Sequence, residues 1–205
     1  MSEGPRVVRV RVHYDFASSL CHVAHRVMQR MHAQLEALEL ALDWSPLDLA
    51  RLVGPYRAGA EISAVRRENA QRVARELGVA VAVPRVWPDS AAANAAALCA
   101  ERAGRGESWR ERVFSAVFEH GRLALGDDDV VALAREQGFV LDPRDLARAK
   151  GELELKTELA REEQVSGVPT FMLGTWPFGG IQTEDTMRRV LERFARKLRA
   201  GELCE

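Results

Sequence analysis

The chain has 205 residues and 22.8 kDa, enough for one large domain or a domain with a sizeable insertion. Its 29 Lys and Arg against 30 Asp and Glu leave a net charge of −1, which gives no basic footprint for nucleic acid and no acidic tail for a basic partner. Three cysteines, Cys21, Cys99 and Cys204, are too few and too scattered for a disulfide scaffold or a structural zinc site, and no apolar run approaches the length of a membrane span.

Val7 to Tyr14 alternates valine with charge and reads as a strand that ends at Asp15-Phe16. Ser18-Ser19 supply a helix cap, and Val23, Val27, Met31, Leu35 and Leu38 then fall at helical spacing, which predicts one helix from about Leu20 to Leu38. Leu38 to Leu47 alternates again and reads as a second strand, close enough for a parallel right-handed unit. From there to about Glu163 the pattern is helical. Ile62 to Leu77, Ser90 to Ala103, Ser108 to Glu119, Asp128 to Gln137 and Pro143 to Gln164 are amphipathic, with glycines between them. Asp127-Asp128-Asp129 reads as a capping run, and Asp142-Pro143 as a cap followed by proline in the first turn. Strand character returns at Thr170 to Leu173 and Trp176 to Phe178, around a Gly174-Thr175 turn. Thr183 to Leu198 closes as a helix with Met187, Val190, Leu191 and Phe194 inward.

The first strand-to-helix junction, Ser18-Ser19-Leu20-Cys21-His22, places two polar hydrogen-carrying groups, Ser18 and Cys21, one turn apart at a helix start. A helix N-terminus offers free N–H groups and a positive dipole end to an anion such as a thiolate. Far along the chain stands Ser166-Gly-Val-Pro169-Thr-Phe171, a proline directly before a strand. Read alone, Ser18 is a helix cap, Cys21 a small buried apolar residue or a thiol activated by His22 or His25, and Pro169 a turn residue or a cis proline. Cys99 reads as core and Cys204 as an exposed tail residue. The tryptophans read as core or cleft wall, with Trp87-Pro88 and Trp176-Pro177 as candidates for a cleft between two units.

The two segments, the helical run between them and Gly179-Gly-Ile-Gln182 after the last strand together resemble the DsbA-like family. Within it the sequence looks like the FrnE branch and the related kappa glutathione transferases and hydroxychromene-carboxylate isomerases. The resemblance implies an α/β architecture: a thioredoxin-like fold from residues 1–48 and 161–205, interrupted by an all-helical insertion domain over 49–160. It implies that Ser18 and Cys21 occupy the two catalytic positions. Ser19, Leu20, His22, Val168, Pro169 and Gln182 would then contact a thiol or other substrate, and Val168-Pro169 would be cis. The family's redox enzymes carry cysteine where this chain has Ser18, so the two-cysteine cycle is unavailable and single-cysteine chemistry at Cys21 is the most that remains. The family's glutathione enzymes carry serine there but also an Asp-Arg pair where this chain has Gln182-Thr183.

Three readings follow from the resemblance: a single-cysteine thiol-disulfide oxidoreductase, a glutathione-dependent isomerase or transferase, and a binding domain without chemistry. All three imply a small-molecule thiol or thiol-containing substrate as partner, with no nucleic acid and no membrane. None requires a metal or a tightly bound cofactor, glutathione enters as a cosubstrate, and a homodimer is compatible with each. The N-terminal stretch lacks the apolar core of a signal peptide, so the expected compartment is the cytoplasm, where lone thiols stay reduced.

Overall fold

The computed structural model describes residues 7–54 and 56–202. Valines at alternate positions make β1 (Val8–Tyr14), whose Val8, Val10 and Val12 are buried while Arg9 and Arg11 face out. α1 (Ser19–Arg30) and α2 (His32–Ala37) lead to β2 (Leu40–Pro46), which pairs parallel to β1 with Val12 opposite Trp44. β3 (Thr170–Leu173) lies antiparallel to β1, and β4 (Trp176–Gly179) antiparallel to β3, so the sheet order is β2-β1-β3-β4. Between β2 and β3 run α3 (Leu49–Val53), α4 (Ala64–Glu76), α5 (Ala91–Arg102), α6 (Gly106–Phe118), α7 (Asp127–Glu136) and α8 (Pro143–Glu162). α9 (Glu184–Arg199) closes the described chain. The result is the mixed α/β, thioredoxin-like fold with a helical insertion that the resemblance implied.

Three apolar clusters hold these layers together, two of them large. In one, Val8, Val10 and Val12 of β1 pack with Val23 and Val27 of α1 and with Met187, Leu191 and Phe194 of α9. In the other, the insert's Trp109, Phe114, Phe118 and Leu133 pack around Ala93 and Ala97 of α5. Tyr14, Phe16 and Cys21 belong to the second cluster. The end of β1 and the first turn of α1 are therefore buried against the insert, and that contact positions the site.

Three features differ from the sequence expectation. The expected helix from Leu20 to Leu38 is two helices that meet at Met31, which ends one and starts the next. Periodicity is blind to the joint because backbone bonds carry the register across it, from Met31 N–H to the Val27 carbonyl (3.1 Å) and from Leu35 N–H to the Met31 carbonyl (2.9 Å). Glu39 then takes a left-handed backbone at φ 54°, which reverses the chain, so β2 begins at Leu40 rather than Leu38. α3 lies inside the stretch that reads as helical, but the pattern places no separate helix there. Five residues are too few to show a period, and its cap, Asp48 accepting from Arg51 N–H at 3.2 Å, is the one local signal of it. Cys204 lies outside the described residues.

Candidate functional site

Ser18 is the N-cap of α1. Its extended backbone (φ −93°, ψ 112°) turns the chain out of the β1 loop, and its Oγ accepts a hydrogen bond from the Cys21 N–H at 3.3 Å. The Ser18 N–H donates to the Asp15 carbonyl at 3.1 Å. The hydroxyl oxygen accepts the capping bond, and its own proton can go to a further acceptor, of which the neighbouring Cys21 sulfur is one. No acidic residue stands in the first turn of α1. The amides of Ser19 and Leu20 have no carbonyl four residues earlier in the helix to bond, so this helix start favours an anion.

That helix start opens on a cavity of about 240 Å³. Ser18, Ser19 and Leu20 form one side of it and Ser166, Gly167 and Val168 another; the insert contributes Tyr56, Arg66, Asn69 and Trp87. The Val168–Pro169 peptide is cis. Strand pairing begins only at Thr170, and among the described residues neither backbone polar group of Val168 has a backbone partner. The Tyr56 and Trp87 rings meet edge to face at 4.5 Å, and the Arg66 guanidinium lies 4.8 Å from the centre of the Tyr56 ring. A short antiparallel contact carries this wall, with Ile62 N–H bonded to the Arg85 carbonyl (2.8 Å) and Trp87 N–H to the Ala60 carbonyl (2.9 Å).

Cys21 does not face this cavity. It has no exposed surface, and its thiol is pushed up to about 12, chiefly by burial, with the neighbouring Ser18 hydroxyl pulling the other way. At neutral pH it is a protonated thiol inside the apolar cluster, without the access or the ionisation that a nucleophile needs. His25 does not activate it. The His25 Nε2 lies 3.3 Å from Glu111 Oε2, and burial, with Arg110 nearby, holds the imidazole down to about 4, so the ring is neutral. His22 is also fully buried, with Nε2 3.4 Å from the Ala80 carbonyl and its ring against Phe114 and Phe118.

The structure thus brings Ser18, Ser19, Leu20 and Val168 to one cavity. Cys21 and His22 stand behind it in the core, Pro169 is buried beside Val168, and Gln182 is exposed after β4 and does not line the cavity. Of the expected cleft tryptophans, Trp87 is in place, whereas Trp176 is 60% exposed on the edge strand β4 and lines no part of it. Tyr56, Arg66 and Asn69 went unnoticed in the sequence because they reach the cavity only through tertiary packing. A larger cavity of about 820 Å³ lies over the outer face of the sheet. Its arginines are already paired, Arg9 with Asp43 and Arg11 with Glu163, each at 2.8 Å, and it holds no nucleophile.

Comparison with known proteins agrees with this fold. A family model described as a DSBA-like thioredoxin domain matches residues 9–192. Among solved structures, a 2-hydroxychromene-2-carboxylate isomerase superposes with TM-score 0.68 at 22% identity, covering 95% of this chain and 98% of the other. A probable DsbA oxidoreductase from Streptomyces coelicolor gives 0.66 at 17% identity, over 91% and 89%. The cytosolic disulfide reductase DsbM from Pseudomonas aeruginosa, in a structure with GSH, gives 0.62 at 20% identity, over 92% and 100%. No curated protein matches the sequence. At these identities the superpositions establish the shared fold.

Proposed function

The chain belongs to the DSBA-like thioredoxin-domain family, and from that premise we propose that it holds glutathione at Ser18 and works as a glutathione-dependent isomerase or transferase. One observation carries the reading: the cavity-lining position at the helix start is a serine, while the nearest cysteine among the described residues, Cys21, is sealed in the core with its thiol held protonated.

A serine hydroxyl is far too weak an acid to be ionised by a helix dipole worth about 0.3–1 kcal/mol. It can instead donate to the sulfur of a bound thiol. A hydrogen bond to a charged group is worth about 1.5–3 kcal/mol, which corresponds to roughly one to two pKa units. That is enough to hold a good part of a bound thiol in its reactive thiolate form at neutral pH. The free edge at Val168 would take the peptide backbone of the ligand, as strand addition does elsewhere. Single-cysteine exchange at Cys21 is disfavoured, since attack on a disulfide needs an accessible thiolate and this sulfur is neither accessible nor ionised. Glutathione is the dominant thiol of reducing compartments, so the reading goes with a cytoplasmic protein and a small-molecule partner.

Titration calorimetry with glutathione and with S-methylglutathione tests this. Wild type is expected to prefer the free thiol over the methylated one about tenfold, the worth of one charge-assisted hydrogen bond. Ser18→Ala is expected to erase that preference. Equal binding of the two compounds by wild type, or no binding of either, would overturn the reading.

A further inference from the structure

Asp15 closes the loop that presents Ser18, and its side chain is almost wholly buried, with 1% exposed. A carboxylate is costly to bury unless donors surround it. Here three do. Oδ1 accepts from the Ala17 N–H at 2.6 Å and from the Ser90 hydroxyl at 2.7 Å, and Oδ2 accepts from the Leu49 N–H at 2.7 Å. The chain of bonds continues: Asn94 Nδ2 donates to Ser90 Oγ at 3.3 Å, and Asn94 Oδ1 accepts from the Phe16 N–H at 3.1 Å. Consecutive loop amides, at Phe16 and Ala17, are thereby tied to one polar network, and the third, at Ser18, bonds the Asp15 carbonyl. The network's other anchors belong to the insert. Leu49 is the first residue of α3, Ser90 immediately precedes α5, and Asn94 lies on α5. Leu49 lines the Ser18 cavity, and Trp87 stands three residues before Ser90.

We propose that Asp15 is a positioning residue that fixes Ser18 against the helical insert, with Ser90 and Asn94 as its partners. All three partners donate to it, so both carboxyl oxygens serve as acceptors, although burial pushes the carboxyl's pKa up. Asparagine at position 15 turns one of them into a donor facing a donor. The effect on ligand chemistry rests on the thiol-binding reading above; the effect on the loop does not.

Two readouts on the full-length protein separate them. The first is amide hydrogen exchange by NMR, without ligand. Exchange at Phe16, Ala17 and Leu49 is expected to quicken at least tenfold in Asp15→Asn, and at Phe16 and Ala17 in Ser90→Ala. Ser90→Thr, which keeps the hydroxyl, is expected to restore slow exchange. The second is the pKa of the bound glutathione thiol, followed by thiolate absorbance against pH. Ser90→Ala is expected to raise it by about one unit, a tenfold change in the ionisation constant, and to add nothing in a Ser18→Ala background. Unchanged exchange at these amides would overturn the proposal. So would faster exchange in a protein that binds glutathione with its thiol pKa unmoved, because the network would then be structural only. If wild type binds no glutathione while exchange quickens and Ser90→Thr rescues it, the clamp stands and the thiol reading falls.

Discussion

Ser18 and Cys21 share one helical turn, yet Ser18 lines a cavity and Cys21 packs into the apolar cluster that joins β1 to the insert. The sequence placed both at the right turn because the capping bond is local: residue 18 accepts from the amide of residue 21. It could not say which one faces the cavity, since the burial of Cys21 depends on Phe114 and its neighbours nearly a hundred residues away. Tyr56, Arg66 and Asn69 were illegible for the same reason, and Asp15 read only as a strand end because its partners, Leu49 and Ser90, are distant in sequence. The account makes a direct prediction at this scale. With a thiol that is fully buried and pushed up to about 12, Cys21 should resist alkylation by iodoacetamide at pH 8 in the native protein and react only on unfolding, as mass spectrometry of the Cys21 peptide would read. Labelling of Cys21 at the rate of a free thiol would contradict its assignment to the core.

At the scale of the element, the long periodic segments were legible and the short ones were not. α9 shows why the first succeed. Its Met187, Leu191 and Phe194 make one buried stripe, and Thr183 caps it by accepting from the Thr186 N–H at 3.3 Å. Leu191→Ala is expected to cost about 2–5 kcal/mol in urea denaturation, the usual range for a fully buried leucine; a loss below 1 kcal/mol would mean that α9 does not carry the sheet packing. β1 and α1 also carry a pH dependence. Burial first, and then nearby arginines, hold His13 and His25 down to about 4 from 6.5. In the unfolded chain each binds a proton near pH 6.5, whereas in the folded protein each stays neutral until about pH 4. Their contribution is therefore intact above pH 6.5 and is lost as the pH falls from there toward 4. At pH 5 the loss should be on the order of 1–2 kcal/mol per histidine relative to pH 7, and His13→Gln should flatten its share of the slope. A urea midpoint that does not move between pH 7 and pH 5 would show that these imidazoles are solvated.

For the whole molecule, the strand–helix–strand opening, the helical run and the closing strands specify the fold, and the family match over residues 9–192 covers both the sheet and the insert. Among the described residues no helix is long and apolar enough to cross a membrane. What turns this fold toward one chemistry is the position of the insert. It buries Cys21 on one side of α1 and supplies the Tyr56 and Trp87 wall opposite Ser18 on the other. The same scaffold with an exposed cysteine at position 18 would suit disulfide exchange. With serine there, and the Cys21 thiol enclosed, the function we propose is to hold another molecule's thiol instead. The two single-residue variants of that turn separate these outcomes in one experiment, glutathione titration of Ser18→Ala and Cys21→Ala beside wild type, with the melting temperature of each recorded to account for the lost cap. The account predicts that Cys21→Ala binds glutathione within about twofold of wild type and that Ser18→Ala binds it about tenfold more weakly, the worth of one charge-assisted hydrogen bond. Binding that survives Ser18→Ala and disappears in Cys21→Ala would contradict it and return the chemistry to the cysteine.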